Sequence, residues 1–201
     1  EKEYFPDNSP ITYEISENTI SLYQDEDPWL KVIKNIEIIF EEDDCICLKH
    51  RVTNTDTTMK KCSIRAVTSV APNGVEYIPL NFREGGYDPL HRISMWDYTI
   101  LGDERVKYER ELITLSHKSI TQKYKIGVGH PNGPVTYENK GVIFEKSYEI
   151  NPNLEYPDGG VSFETFMCRH MVEIESLSPL FDVKAGECVE FCEKWRLKKR
   201  G

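Results

Sequence analysis

The sequence lacks any clear sign of helices. No window of ten or more residues places apolar side chains at helical spacing between capping residues. It also lacks an apolar run close to the roughly 20 residues that a membrane-spanning helix needs. These two absences predict a protein built from β-strands, with no membrane partner.

Positive charge is also scarce. The 201 residues include 25 lysines and arginines against 34 aspartates and glutamates, which gives a net charge of −9. A protein that binds the nucleic-acid backbone needs a basic face, so no nucleic-acid partner is expected. The one basic cluster, 194–200, fits a solubilising tail or a contact for an acidic partner.

Motifs that mark metal, cofactor or nucleophilic sites are missing. The sequence contains no CxxC pair, no P-loop, no dinucleotide-binding glycine pattern and no Gly-x-Ser-x-Gly elbow. The spacing of Glu164, Cys168 and His170 fits a metal site. However, Cys168-Arg169-His170 is more typical of a hairpin turn, so we expect no metal and no cofactor.

Six cysteines are present, and their positions favour reduced thiols. Cys45 and Cys47 lie within one alternating stretch, and Cys188 and Cys192 lie on one face of another. The sequence also shows no signal-peptide pattern and no Asn-x-Ser/Thr glycosylation sequon. Together these features predict a reducing, cytoplasmic setting.

Apolar and polar residues alternate with a period of two along most of the sequence. Turn signals such as Asn139-Lys140-Gly141 separate the alternating rows, and no repeat or linker divides the sequence. The pattern predicts a single all-β domain over 1–201, folded as an antiparallel sandwich. The clearest rows are 36–40, 46–52, 124–128, 142–150 and 189–197.

Two of these rows carry a charge on their apolar side. Lys146 falls between Phe144 and Tyr148, and Glu193 falls in the same way within its own row. A charge on an apolar face costs several kcal/mol unless it is paired. Two interpretations are open: these faces line a cleft, or the alternation slips through a bulge or at an edge.

Polar and aromatic residues also gather close to turns, in a mixture that suits sugar binding. An aromatic ring packs on the C–H face of a pyranose, while charged side chains hydrogen-bond vicinal hydroxyls or a carboxylate. The predicted ligand-binding residues are Trp96, Asp97, Arg105, Lys125, His130, Lys146 and Asp158.

Structural roles also explain several of these residues. Trp96 fits a core position, and His130 fits an exposed hairpin residue before Pro-Asn-Gly. Asp103 and Arg105 fit a local salt bridge that holds a turn. The sequence by itself leaves these alternatives open.

Acid/base catalysis on a sugar needs two groups of opposite protonation state across the ring. Glu175 and Glu164 are the candidate catalytic carboxylates, with His130 or Lys146 as the partner group. Glu164 fits the solvated outer face of a strand equally well. The pattern therefore indicates candidate site residues but does not decide whether they bind a ligand or catalyse a reaction.

The last third of the sequence resembles a known family. "YPDGGVSFETF", which begins with a tight turn at 157–160, and "MVEIESLSPLFDVKAGECVEFCEKWRL" are similar to the C-terminal half of DUF4380. DUF4380 is an uncharacterised family with the galactose mutarotase-like supersandwich fold. The upstream stretches "FPDNSPITYEI", "MWDYTILGDERVKY", "YKIGVGHPNG" and "VIFEKSYE" are also similar to it.

The resemblance implies a supersandwich of two large antiparallel sheets with a concave face that usually binds sugar. The wider superfamily includes aldose epimerases, some glycosidase domains and non-catalytic sugar-binding domains. In the mutarotases, a histidine protonates the ring oxygen and a late-strand glutamate deprotonates the anomeric hydroxyl. By this resemblance Glu175, followed by Glu164, matches the late-strand glutamate.

The sequence departs from the family pattern in two places. No histidine follows "RVTNTDTT", where the mutarotase acid is expected. Relatives also carry further strands before the segment that matches "FPDNSPITYEI". If such N-terminal strands are missing here, the sheet exposes an edge that favours a homodimer.

The sequence therefore predicts, first, a protein that binds a small-molecule carbohydrate on the concave face. An aldose 1-epimerase-like enzyme is the alternative. A structural or assembly protein that uses an exposed sheet edge is the second alternative.

Overall fold

Strands account for almost all of the regular structure, as the alternation predicts. The computed structural model describes residues 8, 10–41, 44–84 and 86–201. The one helical element in this part of the chain is a single turn, α1 (Pro157–Gly160). The strands there are, in chain order, β1 (Ile11–Ser16), β2 (Thr19–Gln24), β3 (Val32–Phe40), β4 (Cys45–Asn54), β5 (Lys60–Cys62), β6 (Arg65–Val70), β7 (Val75–Pro79), β8 (Ile93–Met95), β9 (Val106–Tyr108), β10 (Leu112–Ser116), β11 (Tyr124–Val128), β12 (Val135–Asn139), β13 (Val142–Tyr148), β14 (Phe163–Met167), β15 (Val172–Leu177), β16 (Phe181–Val183) and β17 (Cys188–Lys199).

The strands build two packed sheets and a small ribbon. Among the described residues, ten strands form one sheet in the order β1-β2-β3-β4-β17-β13-β12-β7-β10-β9. Five strands form the second sheet, in the order β6-β15-β14-β11-β8, and β16 pairs with β5. Neighbouring strands are antiparallel in both sheets. The predicted all-β supersandwich of two large antiparallel sheets is confirmed.

The hydrophobic core lies between the two sheets. Successive side chains of a strand point to opposite faces, so each core strand sends every second residue inward. The other face of the five-stranded sheet then points away from the core. The most deeply buried apolar side chains include Ile78, Ile113 and Leu115 from the ten-stranded sheet and Ile126, Phe163 and Ile174 from the five-stranded sheet.

A charged pair, Lys146 and Glu193, lies inside this core. Lys146 Nζ is 3.0 Å from Glu193 Oε2. The ammonium also donates to Ala66 O at 2.8 Å, Ile174 O at 2.9 Å and Thr68 Oγ1 at 2.9 Å, all on the facing sheet. Burial lowers the pKa of Lys146, and the Glu193 carboxylate opposes that shift.

The position of this pair shows that both interpretations of the two rows with a charge on their apolar side, a cleft or a bulge, were wrong. β13 and β17 stay in register from Val142 opposite Lys199 to Tyr148 opposite Glu193, so there is no bulge at Lys146. The Lys146 side chain is 0% exposed, and its ammonium is surrounded by protein oxygens. Lys146 therefore does not line an open cleft, and the structure leaves no side of its ammonium free for a ligand.

One edge of the ten-stranded sheet is formed by β1. Its alternate apolar side chains Ile11, Tyr13 and Ile15 are 49%, 65% and 69% exposed. Most of the "FPDN" that precedes this strand, residues 5–7, lies outside the described residues. The expected homodimer through a sheet edge stays a prediction.

All six cysteines are free thiols. Cys45 and Cys47 lie in β4, and Cys188 and Cys192 lie in β17, as the alternation indicated. No helix in the described part of the chain combines the length and the apolar character needed to cross a membrane. The predicted cytoplasmic setting is not tested by these observations.

We expect Lys146→Met to lower the free energy of unfolding by about 3–5 kcal/mol, because it leaves the Glu193 carboxylate unpaired in the core. Adding Glu193→Leu should recover part of this loss, because the unpaired charge is then removed. Urea denaturation measures both. The control is Lys198→Met, which removes an exposed pair with Glu145 and should cost about 0–1 kcal/mol. A loss for Lys146→Met as small as that of the control would contradict this account of the core.

Candidate functional site

Charged residues of the five-stranded sheet lie on the face that points away from the core. In β11, Tyr124 and Ile126 belong to the core, so Lys125 between them points outward. By the same alternation, Glu164 points outward from β14 and Glu175 from β15. All three residues are nevertheless buried, because other parts of the chain cover this face.

Strand register brings the two carboxylates together. Glu164 lies directly opposite Glu175 in the β14–β15 pair, and opposite Gly127 in the β11–β14 pair. A Cβ at Gly127 would lie 2.7 Å from the Val161 side chain, so glycine here lets the segment after α1 pack over the sheet. Like charges directly opposite on neighbouring strands are destabilising, so this geometry needs a cation.

Lys125 supplies that cation. Its Nζ lies 2.8 Å from Glu164 Oε2 and 2.8 Å from Glu175 Oε1. The Trp96 ring lies beside the ammonium, with 4.8 Å between Nζ and the ring centroid, which is within the range of a cation–π contact. The structure therefore brings these four sequence-predicted residues into one place.

A second cation, Arg65, joins them and was missed by the sequence analysis. Its Nη2 lies 2.9 Å from Asp158 Oδ2 and 3.5 Å from Glu164, and its Nε lies 3.6 Å from Glu175 Oε2. The Arg65 and Asp158 side chains are 44% and 38% exposed, so they form the solvent-facing layer. We call Arg65, Lys125, Asp158, Glu164 and Glu175 the charge cluster.

The α1 turn holds Asp158 in place. Asp158, Gly159 and Gly160 have φ values of 52°, 84° and 89°, in the left-handed region that glycine favours. This is the tight turn that the sequence predicted. The Asp158 carbonyl accepts a hydrogen bond from Ser94 Oγ at 2.5 Å. A Cβ at Gly160 would lie 2.4 Å from Arg92 Nη1, so the glycine makes room for that guanidinium.

The charge cluster shifts the protonation of its own members. Burial, followed by a hydrogen bond with Asp158, raises the pKa of Glu164 to about 7, against the opposing effect of the Lys125 ammonium. Burial by itself would lower the pKa of Lys125, but Glu175 and Glu164 outweigh burial and raise it. Near neutral pH, Glu164 can therefore hold or release a proton while Lys125 stays charged.

A cleft of about 1210 Å³ opens beside the charge cluster, and Asp158 belongs to both. His130 lies on the cleft wall, with its ring centroid 5.1 Å from that of Tyr156 and its Nδ1 3.3 Å from Ser162 Oγ. Burial, assisted by the positive charge of Arg92, lowers the pKa of His130, so its imidazole is neutral at neutral pH. His130 is thus a cleft residue and not a member of the charge cluster.

The remaining predicted residues are not gathered at the charge cluster. Arg105 is buried in a pair with Asp103, with 2.6 Å between Nη2 and Oδ2, as the local salt-bridge interpretation required. Because the Arg105 guanidinium is buried and paired with Asp103, it is not accessible to a ligand. We therefore leave Arg105 out of the site, together with Lys146. Asp97 is exposed next to Trp96.

Within the described ranges, no group of three or more His, Cys, Asp or Glu side chains is arranged to hold a metal ion.

Comparison with known proteins bears on the fold. No family model and no curated protein matches the chain. A galactose mutarotase-like protein from Lactobacillus casei ATCC 334 superposes with a TM-score of 0.59 at 9% identity, over 95% of this chain and 73% of that one. A candidate aldose 1-epimerase from Escherichia coli K12 gives a TM-score of 0.56 at 11% identity, over 94% of this chain and 68% of that one.

The fold is galactose mutarotase-like. A TPR-domain containing protein from Parabacteroides distasonis ATCC 8503 also superposes on the chain, with a TM-score of 0.62 at 11% identity, over 94% of this chain and 34% of that one. The chain thus spans 68–73% of the length of the two proteins above and about a third of this one. At such low identities the likeness shows the fold alone.

The raised pKa of Glu164 predicts a specific pH dependence of stability. Its ordinary value is 4.5 and its folded value is about 7, so between these pH values the folded protein binds more protons than the unfolded chain. The contribution of Glu164 to stability is therefore present below pH 4.5 and is lost as the pH rises through 7. The buried Glu76, with a pKa raised by burial to about 8, titrates in the same direction in any Glu164 variant.

We expect Glu164→Gln to show a smaller fall in the free energy of unfolding between pH 5 and pH 8 than the unaltered protein, because it lacks the titrating carboxyl group. Urea denaturation at several pH values measures the two slopes. Glu84→Gln, at an exposed position, is the control and should keep the original slope. Equal slopes for Glu164→Gln and the unaltered protein would show that Glu164 is not perturbed.

Proposed function

We propose that the protein binds a carbohydrate at the charge cluster and Trp96, on the outer face of the five-stranded sheet. The observation that carries this proposal is the side-by-side placement of the half-buried Trp96 ring and the Lys125 ammonium, with the exposed Arg65–Asp158 pair above them. A sugar offers an apolar C–H face and a set of hydroxyls. The ring suits the first, and the paired charges suit the second.

Burial divides the charge cluster into two layers with different tasks. Arg65 and Asp158 face solvent and are placed to hydrogen-bond ligand hydroxyls. Glu164 and Glu175 lie beneath them at 0% and 1% exposure and fix the two cations. Groups whose positions are set before the ligand arrives lose little freedom on binding, which favours affinity.

Several finer expectations accompany this proposal. The likeness to a galactose mutarotase-like protein supports a sugar-related role, although a fold by itself does not define a ligand. The same proposal includes four further expectations: membership of DUF4380, a single domain over 1–201, a small-molecule carbohydrate as partner and a cytoplasmic location. They rest on the sequence resemblance and on the cysteine pattern described above.

An aldose 1-epimerase-like activity is the second candidate, and the pKa of Glu164 favours it. A carboxyl group with a pKa of about 7 can donate a proton near neutral pH, and Glu175, the candidate base, lies directly opposite. No histidine occupies the region where the mutarotase acid is expected, and the exposed Arg65 follows there instead. Both carboxylates lie under Arg65 and Asp158, so catalysis requires that pair to open. For this reason we place binding ahead of catalysis.

The assembly alternative rests on the exposed apolar row of β1. An edge strand with exposed Ile11, Tyr13 and Ile15 is a template for pairing with a second copy. This alternative predicts an oligomer without sugar affinity. A monomer at all concentrations in analytical ultracentrifugation would contradict it.

The first test of sugar binding is calorimetric titration against neutral hexoses, uronic acids and phosphorylated sugars. We expect one class to bind, and we expect Trp96→Ala and Arg65→Gln each to weaken that binding by about tenfold or more, since each removes a direct contact. Trp29→Ala, at a tryptophan that is 63% exposed and outside the site, is the matched control. Equal losses for Trp96→Ala and Trp29→Ala would contradict the placement of the site.

The second test separates binding from catalysis. If the protein is an epimerase, it speeds the exchange of the α and β anomers of its ligand, and Glu175→Gln and Glu164→Gln each abolish this acceleration. NMR exchange spectroscopy on the free sugar measures the rate. Acceleration that survives both substitutions rules out these carboxylates as the acid and base.

A further inference from the structure

The cleft and the charge cluster share one residue, Asp158. Asp158 contributes its carboxylate to the charge cluster, and it is also one of the residues that line the cleft. The hydrogen bond from Ser94 Oγ to the Asp158 carbonyl ties this shared residue to β8. A ligand at the charge cluster that extends past Asp158 therefore enters the cleft.

The cleft is larger than one sugar ring requires. Sites for drug-sized ligands usually measure about 300–1,000 Å³. The cleft measures about 1210 Å³ before the charge cluster itself is counted. This volume has room for several linked rings.

The cleft walls combine apolar and polar surfaces. Tyr156, Ile150, Leu154 and Leu180 give apolar area. The neutral imidazole of His130 packs edge-on against Tyr156 and can hydrogen-bond a hydroxyl. This alternation suits rings that present one C–H face and several hydroxyls, in the same way as the Trp96 side of the site.

Among the described residues, the unpaired charged side chain of the cleft is that of Arg92, which is positive. Of its two acidic side chains, Glu155 pairs with Lys61 at 2.7 Å and Asp158 pairs with Arg65 at 2.9 Å. Arg92 lines the same cleft and is exposed, and no ion pair to its guanidinium occurs among the residues the structure describes. An unpaired guanidinium binds a carboxylate or a sulfate with two parallel hydrogen bonds.

We propose that the ligand is an acidic oligosaccharide, with one unit at the charge cluster and further units in the cleft, where Arg92 binds a carboxylate or sulfate group. This inference rests on the proposed function and names its substrate class. Gly160 contributes to this arrangement, because a Cβ there would lie 2.4 Å from Arg92 Nη1 and would displace the guanidinium from its position against α1. Neutral oligosaccharides are expected to bind through the ring contacts alone, and therefore more weakly.

A glycan array tests the proposal on the intact protein. The probes are mono- to hexasaccharides that are neutral, contain uronic acids or carry sulfates, and affinities of the positive probes follow by calorimetry. We expect acidic tri- and tetrasaccharides to bind about tenfold or more tightly than their single units, and Arg92→Gln to remove most of that gain. The uronic-acid and sulfate arms show which anion Arg92 binds.

Two variants separate this inference from the proposed function. Arg196→Gln removes a different exposed arginine, on β17 of the other sheet, and should leave every affinity unchanged. Trp96→Ala should weaken single sugars and oligosaccharides alike, whereas Arg92→Gln should spare single sugars. If single sugars bind in a Trp96-dependent way but longer acidic chains gain nothing, the inference fails and the proposed function stands. If no glycan binds to the folded protein, both fail.

Discussion

The ammonium of Lys125 between Glu164 and Glu175 is the interaction on which the outer face of the five-stranded sheet depends. Register places the two carboxylates directly opposite each other, so both could not stay charged without a cation between them. Lys125 and Arg65 together supply two positive charges to three carboxylates, while burial, followed by the hydrogen bond with Asp158, raises the pKa of Glu164. The protonation state of this face is therefore set by its own geometry.

The inner face of the same sheet contacts a second buried lysine, Lys146, which belongs to β13 of the ten-stranded sheet. Lys146 reaches across the core to the backbone of Ala66 and Ile174, one residue away from Glu175. Its partner Glu193 lies on the neighbouring strand of the ten-stranded sheet, and the hydrogen bonds of Lys146 to the facing sheet join the two sheets. The ammonium therefore has no free side for a ligand. The outer cluster differs because Arg65 and Asp158 remain partly in solvent. Both sets of side chains are charged. The charge cluster differs from the Lys146–Glu193 pair because two of its members are exposed to solvent.

Much of the fold and part of the site could be predicted from the sequence. Period-two alternation identified the strands, and it placed Lys125, Glu164 and Glu175 on strands. Alternation gives the face of a residue but not the neighbour of its strand. It could not show that Lys146 and Glu193 meet each other, and the two charges were therefore assigned to a cleft or a bulge. Arg65 escaped notice because one arginine at the start of a short strand resembles an ordinary solvated residue. Its contacts with Asp158 and Glu164 join positions 93 and 99 residues apart.

The central claim is that a sugar lies against Trp96 on the outer face of the five-stranded sheet. The chain has three tryptophans, Trp29, Trp96 and Trp195, and each indole N–H gives its own signal in a proton–nitrogen NMR spectrum. Adding a sugar that binds in calorimetry should shift the Trp96 signal and leave the exposed Trp29 and the Glu193-bonded Trp195 in place. A saturating sugar that shifts Trp29 or Trp195 while Trp96 stays unchanged would contradict the account.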